Sequence, residues 1–106
     1  MQTYKLSDMR GGWFVGDFEP SCLRLSGCEV AIKRYRAGDK EPRHVHRLAT
    51  ELTVVVSGVV QFNGLAFAAG TIVQLDAGEP AEFSVIEDAV TVVVKAPSVP
   101  NDKYLV

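Results

Sequence analysis

The stretch "GDKEPRHVHRLATELTVVVSG" (Gly38–Gly58) contains both histidines of the chain. In an extended backbone, side chains two residues apart point to the same side. His44 and His46 therefore project together, on either side of Val45. Four residues, "RLAT", lead into Glu51, which opens the strong β-forming run "ELTVVV" (51–56). If that run folds back antiparallel, Glu51 meets the two imidazoles across the strand pair. Two imidazoles and one carboxylate form a facial triad for a divalent transition metal, leaving three positions of an octahedral ion open. The competing reading is a chance cluster on a polar edge, because a bare His-x-His carries little specificity.

Working outward, the same alternation of short apolar runs and turn residues continues. "CEVAIKRY" (28–35), "VVQF" (59–62), "TIVQL" (71–75), "AEFSVI" (81–86) and "VTVVVK" (90–95) are rich in β-branched and aromatic residues. Between the runs stand "AGDKEP", "SG", "NG", "AAG", "DAGEP" and "ED". Asn63-Gly64 is a two-residue hairpin signal, since a type I′ turn needs positive φ at both positions. No long stretch keeps apolar residues at helical spacing. The chain is predicted to be all-β, an antiparallel barrel or sandwich, and its 106 residues suffice for one domain.

Two runs, 51–56 and 90–94, are apolar on both faces, whereas a solvent-facing strand alternates. Something must cover the outer face. A loop or terminal segment of the same chain is one solution; a second copy is the other, and a homodimer is expected because two-fold pairs are the commonest assembly.

Composition excludes several partner classes. Net charge is −2 with no basic cluster, which argues against nucleic acid. No apolar run reaches the roughly 18–20 residues that span a bilayer. The first residues, "MQTYKLSDMRGGWF", lack the regions of a signal peptide, so a cytoplasmic location is expected. Cys22 and Cys28 lack the two-residue spacing of a zinc knuckle or redox motif and read as ordinary reduced side chains.

Gly38, His44, His46, Glu51 and Gly58, at these spacings, match the first motif of the cupin superfamily at every position. The chain resembles a small single-domain cupin over residues 28–95, with 1–27 as a segment capping the barrel and 96–106 as a C-terminal tail. The resemblance implies a jelly-roll β-barrel, commonly dimeric, in which His44, His46 and Glu51 line the interior and bind a metal. Imidazole and carboxylate ligands suit Fe, Mn, Ni, Zn or Cu alike. The second motif departs from the family. Gly70 and Gly78 keep the turn, but Ala81 stands where the fourth, histidine ligand belongs, and Val85 replaces the asparagine.

Three outcomes follow from that loss: a three-ligand site, replacement of the ligand by Glu79, or a barrel that binds its ligand without metal. Glu79 shares strand parity with Ala81, but Pro80 resets the backbone between them, and a solvated turn carboxylate is the plainer reading.

Thr53 and Val55 share a face with Glu51 and are expected to line the small-molecule pocket, together with Phe62, Ala81 and Phe83; Phe67 is a further candidate for its apolar wall. Trp13, the only tryptophan, is expected to cap an open end of the barrel. Lys95, Lys103 and Tyr104 either reach over the mouth toward an anionic ligand or belong to a simple packed or frayed tail. The expected function is metal-dependent oxygenase or Lewis-acid chemistry on a small polar metabolite; the rival is a metabolite-binding or sensing barrel with no turnover.

Overall fold

The computed structural model describes residues 1–106. Two short 3-10 turns (Leu6–Asp8 and Arg10–Gly12) precede eight strands: β1 Trp13–Val15, β2 Glu29–Tyr35, β3 Lys40–His46, β4 Thr50–Phe62, β5 Leu65–Ala68, β6 Ile72–Leu75, β7 Ala81–Ala96 and β8 Lys103–Leu105. All strand pairs are antiparallel. No helix is long and apolar enough to cross a membrane.

Two long strands organise the barrel. β4 and β7 pair along nearly their whole lengths, from Thr50↔Ala96 to Phe62↔Phe83. The first half of β4 also pairs with β6, and its second half with β5. The C-terminal half of β7 pairs with β2, and its N-terminal half with β3. One face of the barrel is therefore β1-β2-β7-β4-β6, the other β8-β3-β7-β4-β5, and the two share the bent β4–β7 pair.

The sequence alone divides each long strand in two, at Ser57-Gly58 and Glu87-Asp88. Both places are bends rather than turns. The β4–β7 register slips between Val55 and Val60, and such bulges bend a strand without ending it. Gly58 sits at the corner with φ +80°, and a Cβ there would lie 2.0 Å from the Asp88 carbonyl oxygen. Only glycine fits. Asn63 and Gly64, with φ of 51° and 82°, form the expected hairpin turn between β4 and β5.

The closed end of the barrel is filled by Val55, Val60, Phe62, Leu75, Ala81, Phe83, Val85 and Ala89, with Phe67, Tyr35 and Val73 packed against them. The other end stays open because the inward face there is polar. Directly paired residues share a face in an antiparallel sheet, so the register sets Glu29, Lys95, Glu51 and Leu75 in one inward row. Val30, Val94 and Leu52 form a row on the outer face. In β2, β4 and β7 the polar set of the alternation points into this end and the valine-rich set points out.

The tail does not fray. After Pro97 and Pro100 it forms edge strand β8 beside β3, where a proline-flanked segment is tolerated.

Candidate metal centre

His44 and His46 come from β3, but β3 does not pair with β4 as the sequence reading supposes. It lies between β7 and β8 on the opposite face of the barrel. Glu51 reaches His46 across the interior instead, with 3.7 Å between Glu51 Oε1 and His46 Nε2. The physical reason is strand demand: β6 and β7 already occupy both edges of β4 at Glu51. Glu51 and His46 approach each other without their strands being paired.

Each imidazole is held by its rear nitrogen. His44 Nδ1 donates to the Pro42 carbonyl at 2.9 Å, and His46 Nδ1 donates to the Asp102 carbonyl at 3.0 Å. A carbonyl only accepts, so both protons sit on Nδ1 and both Nε2 lone pairs are free. The rings stand edge to face, 5.2 Å between centroids. Burial lowers the His46 pKa and Lys95 lowers it further, which favours the neutral, ligating form.

Asp102 does more than hold His46. Its carboxylate accepts from the backbone N–H groups of Arg47, Leu48 and Ala49, the turn that joins β3 to β4. Burial by itself would raise this carboxyl; the N–H bonds from Ala49, Leu48 and Arg47 outweigh it and hold the group below the ordinary carboxylate range. One residue of the tail thus fixes both the imidazole and the turn leading to Glu51. Sequence reasoning misses it, because its partners lie more than fifty residues away.

Glu51 is 14% exposed and makes no hydrogen bond. Burial raises its carboxyl above the usual range, against the attraction of Lys95 and His44. A buried, unbonded carboxylate calls for a cation. Its 3.7 Å separation from His46 is too long for a hydrogen bond. Two donors each about 2.1 Å from one ion stand roughly 3.0–4.2 Å apart, so this pair is already within range of sharing one. The three side chains are nonetheless not drawn together at full metal-holding geometry. The donor types and tautomers suit an ion, and the Glu51–His46 pair has the spacing for one; closing all three on it requires adjustment of the side chains.

All three line a cavity of about 160 Å³. Thr53, Phe62, Ala81 and Phe83 line it too. Val55 does not: it is fully buried in the core below the cavity floor. Its face is right but its depth is wrong, four residues or about 13 Å along the strand from Glu51. Phe67 also packs against the core rather than the cavity. Glu79 is exposed in the turn before β7, where its Oε1 accepts from the Asp76 N–H at 3.1 Å, so it is no ligand. Ala81 stands directly opposite His44 in the β3–β7 ladder and is 2% exposed, leaving a methyl group on the cavity wall there.

Several lining residues escape a reading that equates inward with apolar: Lys33, Tyr35 and Glu41 beside Thr91 and Val93. Their alternation in "EVAIKRY" is plain, but it faces the polar set inward. Trp13 does stand at the cavity, with Lys33 Nζ 5.1 Å and Lys95 Nζ 4.8 Å from its ring centroid. Lys95 and Lys103 line the cavity, whereas Tyr104 turns away and stacks under the Arg47 guanidinium at 4.0 Å.

No protein-family model and no curated protein matches the chain. Solved structures do. A double-stranded beta-helix protein from Klebsiella pneumoniae superposes with a TM-score of 0.70 at 20% identity, over 98% of this chain and 90% of that one. A cupin-2 domain containing protein from Shewanella frigidimarina gives 0.60 at 13% identity, over 68% and 72%. The chain has the cupin fold. Oxalate decarboxylase of Bacillus subtilis, a protein with Mn(II) centres, gives 0.64 at 16% identity. There the match covers 76% of this cupin-fold chain and only 24% of the decarboxylase. At these identities the likeness establishes architecture, and the chemistry has to be argued from the cavity.

Proposed function

We propose that this cupin-fold barrel holds one divalent transition metal through His44, His46 and Glu51 and acts on a small polar metabolite bound beside it. The observation that carries the reading is the Glu51–His46 approach across the barrel, between a carboxylate without a hydrogen bond and an imidazole whose Nδ1 proton is already committed. The ion, once bound, supplies Lewis-acid polarisation or activation of water or dioxygen. The chain's own residues orient and shield. The Pro42 and Asp102 carbonyls aim the two Nε2 atoms. Phe62 and Phe83, 5.1 Å between centroids, close the floor against water. Tyr35 keeps its proton, because burial and then Glu41 push its pKa above the ordinary phenol range, so it serves as a donor and not a base. No third histidine is present to act as a general base, which favours metal-centred chemistry over isomerisation.

The test is metal content of tag-free protein by mass spectrometry, beside a Glu51→Gln variant checked for folding. Near-stoichiometric metal in the parent and its loss in the variant are expected. A folded parent that stays empty and refuses added Fe, Mn, Ni, Cu and Zn overturns the reading.

Ala81 favours the rival, a binding or sensing barrel, because the wall opposite His44 offers no fourth ligand. Ligand binding that survives metal removal, with no turnover, would mark that case. We also infer that a second copy covers the valine-rich outer face of β4 and β7. Val56 of β4 and Ile72 of the adjoining β6, the ladder partner of Val54, are 53% and 62% exposed, unusual for large aliphatics on one sheet face. Sedimentation should give a dimer mass; a monomer at high protein concentration would refute it.

A further inference from the structure

The cavity contains a second set of polar groups that the metal reading leaves unused. Of the three lysines lining it, Lys95 is paired with Glu29 at 2.9 Å, while Lys33 and Lys103 have no carboxylate within ion-pair distance. Lys33 lies directly across the β2–β7 ladder from Thr91. Thr91 is fully buried, and its Oγ1 is the one buried side-chain oxygen or nitrogen of the chain without a hydrogen-bond partner. Orphaned buried hydroxyls are rare, since each costs the desolvation of a polar group with nothing in return. An unpaired ammonium and an unpaired hydroxyl on adjacent strands, facing one cavity, are the two donors that a planar carboxylate accepts.

We propose that Lys33 Nζ and Thr91 Oγ1 form a carboxylate subsite, so that the metabolite of this barrel is a small organic acid. Two donors match the two oxygens of a carboxylate; a phosphate would leave oxygens unserved. The cavity admits roughly ten atoms of water size. Burial lowers the Lys33 pKa, the cost of keeping an ammonium there without a counter-ion, and a bound carboxylate relieves it. The inference rests on the cavity being the ligand site, not on the metal.

Trp13, the only tryptophan, lies against Lys33 and provides the signal. Metal-free protein is titrated with malonate and with malonamide, its uncharged counterpart of equal heavy-atom count, followed by Trp13 fluorescence and by calorimetry. Malonate is expected to bind saturably and malonamide at least about tenfold more weakly, the loss of a charge-assisted pair. Thr91→Val and Lys33→Met should each weaken malonate by about tenfold or more, while Thr91→Ser restores it. Calorimetry covers the case in which Lys33→Met disturbs the Trp13 signal itself. Equal binding of malonate and malonamide, no binding of either, or malonate affinity indifferent to both substitutions would overturn the subsite. Metal content measured on the same preparations separates the two proposals. Metal uptake without malonate binding removes only the subsite, and malonate binding by protein that takes up no metal removes only the metal centre.

Discussion

His44 and Ala81 face each other across the β3–β7 ladder, and the two sides of that pair differ in what surrounds them. On the His44 side both imidazoles are secured from behind. The Pro42 carbonyl holds one ring, the Asp102 carbonyl the other, and the Asp102 carboxylate holds the turn that delivers Glu51. On the Ala81 side the backbone frame persists, with Gly70 and Gly78 at φ 92° and 86°, but the side chain that would face the site is a methyl group. A turn and a ligand are thus separable. The glycines serve the barrel's geometry, and their presence says nothing about the chemistry between them.

The largest effect should come from the corner glycine. Gly58→Ala places a Cβ against the Asp88 carbonyl at positive φ and should cost at least about 2–3 kcal/mol in urea unfolding. Gly78→Ala on the other side meets nothing within 4 Å and should cost only about 1 kcal/mol, from backbone strain alone. Equal costs would erase the distinction between a packed motif glycine and a turn glycine.

Asp102→Ala removes three backbone partners in one step and should cost about 2 kcal/mol, with metal affinity reduced about tenfold through the loosened His46. The carboxyl is held below its ordinary value of 3.8, so its stabilisation is complete above that pH and is lost as pH falls through the lower folded value. The gap between parent and variant should therefore narrow below about pH 3.8 in acid unfolding. A gap independent of pH there would assign the effect to packing.

Restoring the missing donor sharpens the comparison further. Ala81→His should fold and tighten metal binding by about tenfold, roughly 1.4 kcal/mol, in a competition titration. Unchanged affinity would mean that position 81 does not face the ion. The smallest effect belongs to Glu79→Ala, expected within about 0.5 kcal/mol of parent stability and with metal content unaltered. Lost metal there would contradict the turn assignment.

How much of this is legible from the sequence depends on the range of the interaction. The β class, the Asn63-Gly64 turn and the shared side of His44 and His46 follow from local rules, because each is fixed within a few residues. The partner of β3 does not, since choosing β7 and β8 over β4 is decided by strands forty and sixty residues away. Val55 has the correct face and the wrong depth, because parity fixes direction and only the bulge near Gly58 fixes where the cavity ends. Lys33 and Thr91 go unrecognised for a different reason. Around this cavity the polar half of the alternation faces inward, and the usual assignment of apolar residues to the interior is inverted.

The most direct test of the central claim counts imidazoles on the ion. Pulsed electron paramagnetic resonance of tag-free protein loaded with Cu(II) detects the remote nitrogen of each coordinated histidine ring. Two rings are predicted in the parent and one in His46→Ala. A parent spectrum with no coordinated imidazole would contradict a metal centre built on His44 and His46.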